Sequence, residues 1–231
     1  MIEDNRSKLK KLKLENFHIM KNAKLMPFAG YIMPINYSSG IISEHLFTRS
    51  SCGLFDVSHM LQINIEENNN TIKKLEKIIP LDLNNLPIGK SCYSFILNNE
   101  GGIVDDLIIS KLNNKYHGNF FYIVLNASRK DIDIKTFNET LEDSTFVKER
   151  NDYSLIALQG PKSRQILKNI FPEINKLKFM EIIQLNFEDS EIIISCSGYT
   201  GEDGFELSIH NKLIYSIFEK LIDNESVNLC G

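Results

Sequence analysis

This sequence of 231 residues lacks three features, and their absence limits the class of protein to which it can belong. It contains no Trp, and no apolar run reaches the roughly 18 residues that a membrane-spanning helix needs. Positive charge is not in excess, because 26 Lys and Arg face 30 Asp and Glu, for a net charge of −4. We therefore expect neither a nucleic-acid partner nor a membrane association, and no secretory signal segment is predicted.

Cysteine and histidine are too scattered to indicate a disulfide framework or a zinc site. No CxxC pair occurs among the four cysteines, which are Cys52, Cys92, Cys196 and Cys230. No ligand-like spacing occurs among the five histidines, which are His18, His45, His59, His117 and His210. The pattern is typical of a protein from a reducing compartment, and no bound metal is predicted.

The sequence does contain alternating strand and helix patterns without an internal repeat. Helices are predicted over residues 39–49, 71–79, 129–141 and 212–222, and strands over 54–65 and 120–128, while 25–34 is extended or looped. Hairpins are predicted over 92–112 and 191–210. A strand, tight turn and helix are predicted over 153–167, with Pro161 at the first helical position. Hairpins mixed with crossing helices predict an α+β fold with antiparallel sheets.

Two adjacent acids, Asp105 and Asp106, open an apolar strand pattern in the segment GGIVDDL. Neighbouring side chains on a strand point to opposite faces, so one carboxylate should face the covered side of the sheet or a cleft. A buried carboxylate is costly without a partner, and the N–H groups of a ligand are one such partner. The alternative, which spacing alone favours, is that both acids finish the turn and stay in solvent.

The segment SGYTGEDGFEL, residues 197–207, contains three glycines, whereas a plain hairpin turn needs only one. On a strand, Glu206 would share a face with Gly204, and Phe205 would point the other way. Gly204 would leave room for a flat group, and a carboxylate matches a ligand edge that offers two parallel N–H donors. Tyr199 could stack on the same ring. The alternative is a polar-faced edge strand with a Gly-rich turn.

The segment FDVSHM contains Asp56, Ser58 and His59, the residue types of a hydrolase triad. Such a triad is assembled across a fold, and three residues within five positions cannot adopt its geometry. We therefore predict that Asp56 and Ser58 make local backbone hydrogen bonds at a strand start.

Six segments occur in the order found in aminomethyltransferases, the T-proteins of the glycine cleavage system, and over nearly its whole length the chain resembles this family. The segments are FAGYIMPINY, CGLFDVSHM, YSFILNNEGGIVDDLII, VLNAS, IALQGPKS and GYTGEDGFEL. The resemblance implies transfer of a one-carbon unit from an aminomethyl-lipoyl arm on H-protein to tetrahydrofolate. Ammonia is released and 5,10-methylenetetrahydrofolate is formed.

The resemblance also implies the site residues. Glu206 would hold the pterin edge of the folate, with Tyr199 as its aromatic neighbour. Asp106, the second acid of the pair, would be the catalytic residue beside the reacting folate nitrogens. Tyr93 and Asn126 would complete the folate-binding set, and tetrahydrofolate would be the acceptor substrate, with no metal.

The family's domain plan predicts a discontinuous folate-binding subdomain, residues 1–60 and 146–231, and a second subdomain, residues 61–145. The C-terminal barrel domain of the family is expected to be missing, because the match stops at the end of the chain. The sequence departs from the family pattern at three places. Cys196-Ser197 stands for Arg-Thr, Tyr31 for Trp, and Leu61 for Gly.

Other functions of the same fold stay open at this point. One is a tetrahydrofolate-dependent demethylase, whose donor pocket these motifs do not identify. Another is an iron–sulfur assembly factor, although its motif KGCYxGQE is absent here. A third is a non-catalytic folate-binding module. The expected partner is lipoylated H-protein, and the expected location is the cytoplasm, with the mitochondrial matrix as the alternative.

Overall fold

The chain forms two compact units, and each contains its own run of neighbouring strands. The computed structural model describes residues 9–116, 118–142 and 147–231. The chain divides into unit 1, which is Met1–His59 with Asp152–Gly231, and unit 2, which is Met60–Asn151. The predicted subdomain boundary at 145 and 146 lies outside the described residues, as does His117.

The secondary structure alternates short strands and helices. The strands are β1 (Lys10–Lys11), β2 (Lys24–Phe28), β3 (Tyr31–Asn36), β4 (Cys52–Asp56), β5 (Leu61–Glu66), β6 (Lys90–Leu97), β7 (Ile103–Asn114), β8 (Gly118–Leu125), β9 (Val147–Glu149), β10 (Tyr153–Gln159), β11 (Glu181–Phe187), β12 (Ser190–Cys196), β13 (Gly204–His210) and β14 (Val227–Cys230). The helices are α1 (Glu15–Met20), α2 (Ile41–Ser50), α3 (Asn69–Leu75), α4 (Lys130–Leu141), α5 (Ser163–Leu167) and α6 (Ile214–Ile222), with a 3-10 helix at Pro172–Lys176.

Unit 1 contains a sheet in the order β14-β4-β10-β13-β12-β11 and a small sheet in the order β1-β3-β2. Its pairs are antiparallel except for β14 with β4 and β1 with β3. Helix α6 packs its apolar face into the core, because Ile214, Ile217, Phe218 and Leu221 follow helical spacing and are all buried. This core includes the apolar face of β13, the strand that carries Glu206.

Unit 2 contains a sheet in the order β6-β7-β8-β5-β9, and every pair in it is antiparallel. Helices α3 and α4 contribute Leu75, Phe137 and Leu141 to a core shared with the strands. The Asn68 side chain caps α3 by accepting hydrogen bonds from the backbone N–H groups of Asn70 and Thr71. The resulting scaffold holds β7, the strand that carries the two adjacent acids.

The predicted α+β class with antiparallel sheets and flanking helices is confirmed, but two local predictions of secondary structure are wrong. Residues 54–65 form two strands, β4 and β5, rather than one. Pro161 precedes α5, which begins at Ser163, so Pro161 is not at the first helical position. The prediction that residues 25–34 are extended or looped is confirmed, because they belong to the strand pair β2 and β3, in which Pro27 and Pro34 are accommodated.

A buried hydrogen-bonded chain links the N-terminal part of unit 1 to β4. The two ring nitrogens of His18 bond the Tyr37 hydroxyl, at 2.8 Å, and Asp56 Oδ2, at 2.9 Å. The predicted local bond of Asp56 is confirmed, because Ser58 N donates to Asp56 Oδ1 at 3.0 Å. The prediction for Ser58 is wrong, because its Oγ donates to the distant Leu155 carbonyl at 3.1 Å. The histidine partner of Asp56 is therefore His18, a pairing that the local motif did not indicate.

Candidate functional site

In unit 2, Asp105 and Asp106 both belong to strand β7, so the interpretation that they merely finish the turn is wrong. The β6–β7 register shifts here, because Ile96 opposes Asp105 whereas Leu97 opposes Ile103, which leaves Val104 as an extra residue. Such a bulge re-aims neighbouring side chains. Arg129 Nη2 donates to the Val104 carbonyl at 2.9 Å and so anchors the bulge to the start of α4.

The two carboxylates share one partner, the amide of Asn126. Asn126 follows β8, and its Nδ2 donates to Asp106 Oδ1 at 2.8 Å and to Asp105 Oδ1 at 3.1 Å. An amide nitrogen has two hydrogens, so both bonds can form at once. The Asn126 side chain thereby fixes the position of both carboxylates.

Tyr93 lies on β6 beside Asp106. Its hydroxyl is hydrogen-bonded to the Asp106 carboxylate, and that bond raises the pKa of the Tyr93 hydroxyl. The Tyr93 side chain is 49% exposed. Three predicted site residues, Tyr93, Asp106 and Asn126, are thus brought together in unit 2, and we call them the Asp106 cluster.

Asp105 has a different neighbour, Asp133 on α4, a residue that the sequence analysis missed. Asp133 is fully buried, and its carboxyl lies within hydrogen-bonding reach of Asp105. Burial, with the nearby Asp105 carboxylate, raises the pKa of Asp133 to about 7. The charge of Asp133 could have flagged the residue, but only the packing of α4 on β7 reveals its partner.

In unit 1, Glu206 lies on β13 opposite Ala157 of β10 and Ser195 of β12. Glu206 Oε2 accepts a hydrogen bond from Ser197 Oγ at 2.7 Å, and Ser197 is in turn 2.8 Å from Ser195 Oγ. Burial raises the pKa of Glu206, and the Ser197 bond opposes that shift. Within the described ranges, no second hydrogen bond reaches the half-buried Glu206, so its other oxygen can still accept one.

The expected room beside Gly204 is filled by the protein itself. A Cβ at Gly204 or at Gly198 would collide with the side chain of Gln159, whose Nε2 donates to the Ser197 carbonyl at 3.0 Å. The prediction that Gly204 admits a flat ligand group is therefore wrong. These glycines instead let the Gln159 amide brace the hairpin whose backbone carries Glu206.

Tyr199 lies at the tip of the same hairpin and is 82% exposed. It lines a cavity of about 550 Å³ in unit 1, together with Thr48, Arg49 and Cys230. Glu206 does not line this cavity. The structure therefore puts Tyr199 and Glu206 on one hairpin, but only Tyr199 lines this cavity.

The departure at Cys196 is accompanied by a nearby arginine from another element. Arg164 on α5 forms a two-point ion pair with Asp203, with Nε–Oδ2 at 2.6 Å and Nη2–Oδ1 at 2.9 Å, and its Nη2 lies 3.4 Å from Cys196 Sγ. Burial, with the Asp203 carboxylate, raises the pKa of the Cys196 thiol to about 11. Cys196 is therefore a structural thiol, because thiolates are the reactive form.

The sequence pattern of the GCVT N-terminal domain family matches residues 14–230. The chain belongs to this family. Two relatives of this GCVT N-terminal domain chain are aminomethyltransferases: the mitochondrial one of Saccharomyces cerevisiae is 37% identical over 97% of this chain and 58% of its own length, and that of Chlorobium phaeovibrioides is 36% identical over 93% and 59%.

A solved structure shows the same fold. The glycine cleavage system aminomethyltransferase T from Bartonella henselae is 36% identical, with a TM-score of 0.86, and the match covers 96% of this chain and 60% of that one. The family and fold predicted from the six ordered segments are thus confirmed. This GCVT domain chain spans somewhat under two thirds of the length of these relatives.

Across the described residues, no cluster of three or more His, Cys, Asp or Glu side chains has a metal-holding arrangement. No described helix combines the length and apolar character needed to cross a bilayer.

Proposed function

We propose that this chain carries the folate-binding part of a glycine cleavage system aminomethyltransferase. It transfers a one-carbon unit from the aminomethyl-lipoyl arm of H-protein to tetrahydrofolate, with release of ammonia. The names of the Saccharomyces, Chlorobium and Bartonella relatives support this activity. The observation that carries the proposal is the Asp106 cluster, a carboxylate held by the amide of Asn126 and hydrogen-bonded to the half-exposed Tyr93.

Asp106 is the proposed catalytic residue because the reaction removes protons from the folate. Two new C–N bonds join the transferred carbon to two folate nitrogens, while the bonds from that carbon to sulfur and to the amino nitrogen break. The two N–H protons leave the folate, and the thiolate and the ammonia each take up one. A fixed carboxylate near these nitrogens can accept or relay a proton during the attack. Asn126 and Tyr93 supply the orientation.

Glu206 is the proposed residue for recognition of the pterin edge. Ser197 occupies one carboxylate oxygen, and the second is available to an N–H donor from a ligand. Tyr199, which is exposed at the tip of the same hairpin, is the proposed stacking residue.

The partner that we propose is lipoylated H-protein, with tetrahydrofolate as a substrate rather than a resident cofactor and with no requirement for a metal or nucleic acid. We propose a cytoplasmic location, with the mitochondrial matrix as the alternative. One relative carries the word mitochondrial in its name and another is bacterial.

The decisive experiment mixes this chain with aminomethylated H-protein and tetrahydrofolate and measures ammonia and methylenetetrahydrofolate. We expect both products to form in equal amounts, whereas omission of either substrate should abolish them. Folate binding without any product would identify a non-catalytic folate module. Product formation from a methylamine donor in place of H-protein would identify a demethylase.

Glu206→Gln should weaken tetrahydrofolate binding by about 10- to 100-fold, measured by calorimetry. Hydrogen bonds to a charged group contribute about 1.5–3 kcal/mol, and each 1.4 kcal/mol is a factor of about ten in affinity. Glutamine keeps one oxygen for Ser197 and loses only the charge and one acceptor. The matched control is Glu219→Gln on an exposed position of α6, which should bind like the unmodified chain. Equal affinity in both variants would exclude Glu206 from recognition.

A further inference from the structure

The Asp133 carboxyl lies in an environment that an ionised carboxylate tolerates poorly. Its side chain is fully buried on the first turn of α4, and both of its oxygens lack an ordinary donor within the described part of the chain. Asp131, two residues earlier on the same helix, is exposed to solvent, whereas Asp133 is not. A carboxyl buried without donors favours its neutral, protonated form.

The neighbouring Asp105 carboxylate lacks a hydrogen-bond donor to one of its two oxygens. Asp105 Oδ1 accepts from Asn126 Nδ2 at 3.1 Å, whereas Asp105 Oδ2 is buried and lacks a donor among the described residues. Asp105 and Asp133 are within hydrogen-bonding reach of each other. One proton between them gives Asp105 Oδ2 its donor and removes one of two facing negative charges.

We propose that Asp133 holds a proton and donates it to Asp105, and that this hydrogen bond positions Asn126 and, through it, the Asp106 carboxylate. Asp133 is a positioning residue, because it acts through Asp105 and Asn126. Its link to catalysis by Asp106 rests on the proposed function, whereas the shared proton and the positioning do not.

The charged and titratable groups around Asp133 determine its pH range. Burial and the carboxylates of Asp105 and Asp106 favour the proton, and the Arg129 guanidinium opposes them. Together they raise the pKa of Asp133 from 3.8 to about 7. The pKa of the Tyr93 hydroxyl can be used to detect a displacement of Asp106, because the bond between them raises that pKa.

The sign of the stability effect follows from linkage. Because the folded pKa of Asp133 is the higher one, the folded state retains this proton between about pH 4 and 7, whereas the unfolded chain has lost it. The contribution of Asp133 to folding is therefore complete below about pH 4 and is lost as the pH rises through about 7.

The first test compares stability in Asp133→Asn and in Asp131→Asn, its exposed neighbour on the same helix. Asparagine donates to Asp105 as the protonated acid does but cannot ionise. We expect the free energy of unfolding of Asp133→Asn to increase, relative to that of the unmodified chain, as the pH rises from 4 to 8. Asp131→Asn should follow the unmodified chain. The shared proton is disproved if Asp133→Asn tracks the unmodified chain at every pH.

The second test follows the Tyr93 hydroxyl by NMR in chain labelled at tyrosine carbon. Asp133→Leu removes the donor to Asp105 while keeping an apolar side chain in the core. The resulting displacement of Asn126 and Asp106 should shift the Tyr93 pKa back towards its usual value of about 10, and Asp133→Asn should leave it raised. An unchanged Tyr93 titration in a folded Asp133→Leu chain would overturn the positioning role.

The third test measures turnover, so that failure of the proposed function can be distinguished from failure of the positioning role of Asp133. Asp133→Leu should lower kcat at all pH values, and Asp133→Asn should restore it while removing the alkaline loss near pH 7. Equal kcat profiles in the unmodified, Leu and Asn chains would overturn the link to catalysis. An unmodified chain without turnover would reject the proposed function, and the stability and Tyr93 measurements would still decide the shared proton and the positioning.

Discussion

Asp106→Asn is expected to lower methylenetetrahydrofolate formation by about 10²–10⁴-fold, the usual contribution of a positioned general base. Asparagine keeps an oxygen for the Asn126 amide, which donates to Asp106 Oδ1 at 2.8 Å, so the local geometry should persist. The lost function is proton acceptance, because an amide has no basic oxygen. Folate affinity, measured by calorimetry, should change much less than turnover.

Asp105→Asn is the natural comparison, because Asp105 bonds the same amide nitrogen but has Asp133 as its other neighbour. We expect a smaller loss of turnover than in Asp106→Asn, because the role that we propose for Asp105 is to orient Asn126. If Asp105→Asn were the more damaging change, the assignment of catalysis to Asp106 would be reversed. If both variants turned over normally, proximity and orientation alone would account for the rate.

His18→Leu should destabilise the protein by about 3–5 kcal/mol, the range for leaving a buried charged group without its hydrogen-bonded partner. The side chains of His18 and Asp56 are 1% and 0% exposed, and their atoms are 2.9 Å apart. Leucine fills much of the space, but it leaves the Asp56 carboxylate with only the Ser58 N–H and leaves the Tyr37 hydroxyl without its ring nitrogen. Urea unfolding at pH 7 measures the difference.

The double variant His18→Leu with Asp56→Asn separates charge burial from packing. Because it removes the unpaired charge, we expect it to recover part of the lost stability. His45→Leu, at an exposed position of α2, should change the free energy of unfolding by about 0.5 kcal/mol or less. A loss in His18→Leu no larger than in His45→Leu would contradict the structural role of this buried pair.

The local hairpin predictions succeeded where the turn chemistry lies in adjacent residues. The segment around Asn98 is an example, because its side chain accepts from the backbone N–H of Glu100 and Gly102 and closes the β6–β7 turn. The prediction of one strand over 54–65 failed for a non-local reason. Residues 52–56 pair with β10 and β14, whereas residues 61–66 pair with β8 and β9, and no local pattern encodes that change of partners.

In the candidate site too, some features could be predicted from the local sequence and others depend on non-local contacts. The strand period alone predicts that Asp105 and Asp106 point to opposite faces of the sheet. It does not predict that Asn126 bonds both of them, because that contact depends on the β7–β8 register. Likewise, the glycines at 198 and 204 were noticed for their conformational freedom, but their reason is the Gln159 side chain of another strand.

By itself, the sequence determined the α+β class, the family, and the candidate residues Tyr93, Asp106, Asn126, Tyr199 and Glu206, because periodicity and ordered motifs are local and additive. Only the tertiary structure decided the pairing of Asp133 with Asp105, of His18 with Asp56, and of Arg164 with Asp203. Each pair joins residues that are 28 or more positions apart. Burial and strand register bring them together, and both are properties of the assembled fold rather than of any segment.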